Sequence, residues 1–130
     1  MSISEDIKKR LKEAGKRFHS NDNISEYIKE GELLAIQNEV QEKMQGVLDS
    51  LVIDTENDHN TKDTAKRVAK MYVNEVFGGR FMPPPRVTSF PNMGYKSMYT
   101  SGPISIRSTC AHHFQNIVGQ CWVGIIPNGE

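Results

Sequence analysis

Hydrophobic positions in the first half of the chain recur at helical intervals. The first set is spaced by three or four residues: Ile7, Leu11, Ala14 and Phe18. This spacing predicts an amphipathic helix with Ser4 as its N-cap. A second apolar stripe runs from Leu33 to Leu51 and predicts a second helix. Because that stripe is narrow, we expect it to pack against other helices, including those of another subunit.

A third helix is predicted from Thr61 to Phe77, with Gly78-Gly79 as its C-terminal stop. Its apolar residues cluster on one side, and Arg67 lies about 200° from Ala65 when each residue adds about 100°. Arg67 therefore points away from the core of its own helix and is free to reach a ligand or a neighbouring chain. The alternative is an arginine that is simply solvated.

The pattern changes from helical to alternating in the second half. Pro83-Pro84-Pro85 ends the helical region, and residues 86–90 are predicted to form a short first strand. Apolar and polar residues then alternate from Ile104 to Thr109, and a second apolar run extends from Val118 to Ile126. Both runs predict β-strands joined as a hairpin. The sequence thus predicts an α+β protein in which helices precede an antiparallel hairpin.

Length and composition limit the choices further. At 130 residues one modest domain is expected, divided into an N-terminal helical region, 1–82, and a hairpin region, 86–130. Sixteen basic and sixteen acidic residues cancel, so no nucleic-acid partner is expected. The longest apolar run, Val123 to Pro127, is too short to span a membrane. Two cysteines make no disulfide framework, which predicts a reducing, cytoplasmic location.

The densest chemistry lies between the two predicted hairpin strands, in Ser108-Thr109-Cys110-Ala111-His112-His113-Phe114. Cys110 and His113 have the Cys-x-x-His spacing with which a thiolate and an imidazole can bind one zinc ion. The alternative is a buried thiol near a hydrogen-bonded histidine. If His113 faces a metal, its neighbour His112 can face whatever the metal activates, and this combination indicates hydrolysis.

The same stretch resembles the Ser-x-Cys-Glu-His-His signature of the GTP cyclohydrolase I family. The helical segment from Asp63 to Tyr72 is similar to that family's Thr-Pro-x-Arg-hydrophobic-Ala-Lys-Met-Tyr run, and residues 119–127 resemble the second strand of its hairpin. The resemblance covers about residues 30–130. It implies a T-fold (tunnelling fold) that is truncated, because the chain ends near the middle of the family's catalytic domain.

The resemblance implies that the imidazole ring of GTP is opened hydrolytically, with release of formate and formation of 7,8-dihydroneopterin triphosphate. Cys110 and His113 would hold Zn²⁺, His112 would donate a proton to the purine nitrogen, and Arg67 would contact the triphosphate. The family's rings of subunits with shared active sites imply a homo-oligomer. The missing strands and ligands imply a complementing C-terminal half.

Two departures from the family pattern leave alternatives open. Ala111 stands where many members have glutamate, and the second half of the catalytic domain is missing. The chain could therefore be a catalytically incomplete oligomerisation or interaction subunit of the same family. A third interpretation is a small structural zinc module formed by Cys110, His113 and Cys121.

Overall fold

A computed structural model describes residues 2–128 of the chain. The chain folds as two compact units, Met1–Pro84 and Pro85–Glu130. The termini of the two predicted domains, Met1 and residues 129–130, lie outside the described residues. Helices precede a two-stranded antiparallel sheet, so the predicted α+β class is confirmed. No helix within residues 2–128 is long and apolar enough to cross a membrane.

The first helix, α1 (Ile3–Glu13), begins earlier than the sequence predicts. Its N-cap is Ser2, whose hydroxyl accepts a hydrogen bond from the Glu5 amide while the Glu5 carboxylate accepts one from the Ser2 amide. This reciprocal capping box satisfies two backbone donors, so the assignment of Ser4 as N-cap is wrong. The amide and hydroxyl of Ser4 instead donate to the carboxylate of Glu39, at 3.0 and 2.8 Å.

The second helix, α2 (Glu32–Ser50), begins after Gly31, whose φ of +80° favours glycine. The carboxylate of its first residue, Glu32, accepts two hydrogen bonds from Arg10 of α1, each at 2.7 Å. Buried side chains from α1 and α2 pack in one cluster with two residues from other segments of the unit. The members of this cluster are Ile7, Leu11, Ile24, Ile36 and Val73. Ile7 and Leu11 are buried, so the inward face predicted for α1 is confirmed at these two positions. Ala14 and Phe18 lie beyond the end of α1, so the predicted helix is too long.

The predicted third helix is divided into three parts. An α-helix, α3 (Thr64–Met71), leads into a π-helical turn over Tyr72–Val76, and a short helix, α4 (Gly78–Phe81), follows. In the π-helical turn the amide of Phe77 donates to the carbonyl of Tyr72, five residues back, at 2.8 Å. The helix predicted from about Thr61 to Phe77 begins three residues later, at Thr64, and changes to π-helical geometry at Tyr72. The prediction that Gly78-Gly79 stops the helix is wrong, because both glycines lie in α4.

The chain remains helical at Gly78 and Gly79 because Arg80 holds this segment in place. Its guanidinium donates to the backbone carbonyls of Phe18, His19 and Asp22. The carbonyl of Arg80 in turn accepts from the amide of Ile24 at 2.8 Å. These bonds hold α4 against the loop after α1 and satisfy carbonyls that would otherwise need water. Burial lowers the pKa of the Arg80 guanidinium, which still carries its charge at neutral pH.

The second unit is built on a hairpin of β1 (Tyr99–Thr109) and β2 (Asn116–Ile125). The antiparallel register pairs Thr109 with Asn116 beside the turn and is interrupted between Ser101 and Ile104. Residues 86–90 form no strand, so that prediction is wrong. An isolated strand gains no ladder hydrogen bonds, and sequence alternation alone does not supply a partner.

The alternation within the hairpin sorts side chains onto two faces. Directly paired residues share a face, so the register places one group of mostly apolar residues together: Ile104, Ile106, Ile117, Cys121 and Val123. The opposite face carries polar residues together with Val118 and Trp122. No residue of β1 or β2 is buried, which leaves the apolar face of this hairpin open.

Low pH should destabilise the loop that Arg80 holds, because the Asp22 side chain also makes hydrogen bonds within that loop. Its carboxylate accepts two hydrogen bonds from Arg17 and one from the His19 amide, which lower the pKa of Asp22 to about 2. A carboxyl with a lowered folded-state pKa contributes stability above its unfolded pKa of about 3.9 and loses it as the pH falls toward 2. We expect Asp22→Asn to reduce the free energy of unfolding at pH 7, by a margin that narrows below pH 4.

Urea unfolding of the unsubstituted chain and of Asp22→Asn at pH 7, 4 and 2.5 measures this margin, the difference between their free energies of unfolding. Asp63→Asn is the matched control, because the Asp63 side chain makes no capping hydrogen bond. If Asp63→Asn shows the same narrowing margin as Asp22→Asn, the loop carboxylate has no special contribution to stability.

Glycine is required at one position of the hairpin. Gly102 has a φ of +154°, and a Cβ added there would overlap the ring of Trp122. Gly102→Ala should therefore destabilise the hairpin by about 1–3 kcal/mol and speed amide hydrogen exchange in β1 and β2. Gly119→Ala is the matched control, since a Cβ there would meet nothing within 4 Å. Equal exchange rates in the two variants would contradict the steric requirement.

Candidate functional site

The turn between β1 and β2 is closed by two backbone hydrogen bonds. The Cys110 amide donates to the carbonyl of Gln115 at 2.8 Å, and the Phe114 amide donates to the carbonyl of Cys110 at 2.9 Å. Phe114 has a φ of +53°, in the left-handed region, which lets the chain turn back toward β2. Residues 111–113 consequently form the tip of the hairpin, directly beyond the last pair of the ladder.

Of the three predicted hairpin site residues, this turn brings Cys110 close to His112. Cys110 Sγ lies 3.8 Å from His112 Nδ1, and the rings of His112 and His113 are 6.3 Å apart between centroids. Cys110 is half-buried, whereas both histidines are exposed. The thiol therefore lies beside His112, whereas the Cys-x-x-His spacing pairs it with His113. An exposed imidazole beside a thiol can exchange a proton with a molecule in solvent.

The donor chemistry of the turn fits a zinc ion. A thiolate and neutral imidazoles are the ligands that Zn²⁺ prefers, at about 2.3 and 2.0–2.1 Å. Within residues 2–128 no three histidine, cysteine or acidic side chains are grouped closely enough to hold a metal. Zinc takes three or four protein ligands in almost all sites, so a site built on Cys110 and His113 needs at least one more donor.

Cys121 lies away from this turn. It pairs with Ile104, six residues before Cys110 along β1, which corresponds to about 20 Å of extended strand. Two thiolates on one zinc ion, each about 2.3 Å from it, must have sulfurs within about 5 Å of each other. The register therefore contradicts the interpretation in which Cys110, His113 and Cys121 form one small structural zinc module.

Arg67 belongs to the helical unit, on α3. It is exposed, and its Nη2 donates to the carbonyl of Asn60 at 2.8 Å and lies 3.4 Å from the hydroxyl of Thr64. The side chain is thus directed toward solvent, as the helical spacing predicts, and is steadied by the loop before its helix. An exposed guanidinium keeps donors available for a phosphate.

The charged residues are distributed unevenly along the chain, although the basic and acidic residues are equal in number over its whole length. The second unit, Pro85–Glu130, contains Arg86, Lys96 and Arg107 but a single acidic residue, Glu130. This excess of positive charge favours anions over cations as ligands. Counting charges by segment rather than over the whole chain would have identified this property from sequence. The left-handed position Phe114 carries no such signal, because left-handed positions are usually glycine or asparagine.

Comparison with known proteins identifies the class of protein to which the helices and this hairpin belong. The family model for GTP cyclohydrolase I matches residues 40–130. The chain belongs to the GTP cyclohydrolase I family, and the predicted family is confirmed. Helices followed by an antiparallel hairpin are consistent with part of the family's T-fold.

Individual relatives give the same result. The chain is 38% identical over 93 residues to GTP cyclohydrolase 1 of Aeromonas hydrophila, covering 70% of this chain and 42% of the relative. It is 40% identical over 90 residues to GTP cyclohydrolase 1 of Yersinia enterocolitica, covering 68% and 40%. For the Erwinia tasmaniensis protein of the same name, identity is 42% over 89 residues, covering 67% and 40%. The chain therefore spans about two fifths of the length of these relatives.

Proposed function

We propose that the chain carries the N-terminal part of a zinc-dependent GTP cyclohydrolase I. In the proposed reaction the imidazole ring of GTP is opened by water, formate is released and 7,8-dihydroneopterin triphosphate is formed. The observation that carries this proposal is the gathering of one thiol and two imidazoles in a single closed turn, inside the region matched by the family model.

Cys110 and His113 are the proposed zinc ligands on this chain. The half-buried thiol sits at the end of β1, where the backbone is fixed by the turn bonds, and can bind as thiolate. His113 binds as neutral imidazole. Zinc, when bound, supplies a Lewis acid that activates water for hydrolysis.

His112 is the proposed general acid. The imidazole of His112 is exposed at the tip of the turn, where a bound substrate could approach it. Its proposed role is to donate a proton to the purine nitrogen as the imidazole ring of GTP opens. Imidazole is the side chain most often used for proton transfer in catalysis. The 3.8 Å approach to Cys110 also keeps His112 beside the proposed metal ligand.

Arg67 is proposed to bind the triphosphate of GTP. Its side chain is exposed and offers a planar fork of donors that matches phosphate oxygens.

Completion of the site by further polypeptide is also part of the proposal. The open apolar face of the hairpin and the need for another zinc ligand support a complementing C-terminal half and a homo-oligomer with shared sites. The same open face supports a second candidate function, an assembly subunit of this family without activity of its own. Turnover of GTP distinguishes the two.

Zinc content tests the ligand assignment. Cys110→Ser should remove most of the bound zinc, because serine is a poor ligand at neutral pH, whereas Cys121→Ser should leave it nearly unchanged. The measurement is zinc per chain by elemental analysis after dialysis against metal-free buffer. It is made on the chain joined to the remaining part of the Aeromonas hydrophila relative, because Cys110 and His113 alone leave the site short of a ligand. Circular dichroism of both variants controls for folding. Equal zinc loss from the two would contradict the assignment of Cys110 as the hairpin cysteine ligand.

Activity tests the role of His112. The chain is joined to the remaining part of the Aeromonas hydrophila relative, and formate release and pterin fluorescence are measured with GTP. His112→Ala should lower turnover by about 10²–10⁴-fold while retaining zinc, the typical effect of losing a general acid. His113→Ala, the matched control, should lose zinc as well as activity.

The reverse pattern, in which His112→Ala strips the zinc and His113→Ala does not, would mean that the two roles are exchanged. An inactive chimera that still binds zinc and assembles would favour the assembly subunit over the enzyme.

A further inference from the structure

The loop that joins α2 to α3, residues 51–63, contacts the side chain of Arg67. Arg67 Nη2 donates to the carbonyl of Asn60 at 2.8 Å, and the hydroxyl of Thr64 lies 3.5 Å from the same carbonyl. The arginine proposed to bind phosphate is thus anchored at one nitrogen before a ligand arrives. Whatever fixes the Asn60 carbonyl therefore also determines where the guanidinium lies.

Asp58 organises this part of the loop. Its Oδ1 accepts a hydrogen bond from the Asn60 amide at 2.9 Å, and its Oδ2 accepts one from the Thr61 hydroxyl at 3.1 Å. Its backbone carbonyl accepts from the amides of Thr61 and Lys62, at 3.1 and 3.0 Å. One half-buried residue thus holds the backbone on both sides of the Asn60 carbonyl.

The loop is also held before it reaches Asp58. Gln45 of α2 donates to the Thr55 hydroxyl at 3.0 Å, which attaches the loop to the helical unit. The Asp54 carboxylate accepts hydrogen bonds from the Asn57 side chain and from the amides of Asn57 and Glu56, and these bonds lower the pKa of Asp54. The loop therefore has a defined conformation over most of its length.

The anchored guanidinium keeps its charge uncompensated. Asn60 supplies a neutral carbonyl, and Arg67 makes no ion pair with a carboxylate among residues 2–128. Its Nε and Nη1 donate no hydrogen bond within that part of the chain, so their N–H groups are open to a ligand. A positive charge with open donors and no neighbouring counterion suits an anionic ligand such as a polyphosphate.

We propose that Asp58 is a positioning residue for the binding of polyphosphate by Arg67. It acts through the Asn60 carbonyl, which holds Nη2 and reduces the side-chain entropy that Arg67 loses when phosphate binds. This inference rests on the proposed role of Arg67 and deepens it by naming the residue that sets the position of the guanidinium.

Electrostatics alone predicts the opposite effect of Asp58. A carboxylate near an anion-binding arginine repels the anion, so removal of its charge should strengthen binding. Positioning predicts weaker binding when the hydrogen bonds are lost. Asp58→Asn separates the two effects, because its amide oxygen can accept from the Asn60 amide and its NH₂ group can donate to the Thr61 hydroxyl, while the charge is gone.

NMR titration of the whole chain with inorganic triphosphate tests the inference, with the Arg67 Nε–H resonance as reporter. Asp58→Ala should weaken binding by about two- to tenfold, because a long side chain must then be immobilised by the ligand. It should also lower the heteronuclear NOE of this N–H group in the ligand-free chain. Asp58→Asn should bind at least as tightly as the unsubstituted chain. Asp63→Ala is the matched control, since it removes the same charge from a side chain that makes no capping hydrogen bond.

Circular dichroism verifies folding, which Asp58→Ala should retain because Asp58 lies outside the buried apolar cluster. Weaker binding and a lower NOE in Asp58→Ala, both restored in Asp58→Asn, support the positioning role. The inference is overturned if Asp58→Ala binds as tightly as the unsubstituted chain, if Asp58→Asn is equally weakened, or if Asp63→Ala is equally weakened.

The titration also separates this inference from the proposed function. If the Arg67 resonance of the unsubstituted chain does not respond to triphosphate, the phosphate role of Arg67 fails and the positioning role fails with it. If the resonance responds but Asp58→Ala has no effect, only the positioning role fails. Neither readout depends on zinc or on GTP turnover.

Discussion

A two-stranded sheet cannot cover its own faces, and this constraint governs the second unit of the protein. Every strand residue of the hairpin remains at least partly exposed, yet the turn at its end holds the thiol and the two imidazoles. The precision of that turn therefore depends on the strands staying paired. The helical unit differs, because it has its own apolar cluster and the Arg80 bonds that fix its loop. The thiol and imidazoles of the turn thus lie in one unit of the chain, and the buried apolar cluster lies in the other.

Much of the fold could be predicted because burial imposes periodicity. The inward positions Ile7 and Leu11 follow directly from a helix with one apolar face. Alternation from Ile104 to Thr109 likewise predicts the strand beside the turn. The Cys110, His112 and His113 cluster could be located because chemically reactive side chains within one short turn are unavoidably close in space.

Other features depend on contacts that no local pattern contains. The π-helical turn over Tyr72–Val76 and the helical turn at Gly78 reflect tertiary bonds, including those from Arg80 to a loop some sixty residues earlier. The failed strand at residues 86–90 shows that alternation without a partner is insufficient. The Ser2 cap is different: the Ser-x-x-Glu pattern that ends at Glu5 is visible in sequence and favours Ser2 over Ser4. The nearer approach of His112 to Cys110 depends on side-chain conformations within the turn, which spacing does not determine.

The two backbone hydrogen bonds that close the turn join main-chain atoms of Cys110, Phe114 and Gln115. Side chains at positions 111–113 make neither of the two closing bonds, so their identities are largely independent of the shape of the turn. A substitution at the tip can therefore alter reactivity at little energetic cost to the turn. Evolution can in this way retune or abandon the chemistry of the turn while the hairpin persists as a scaffold.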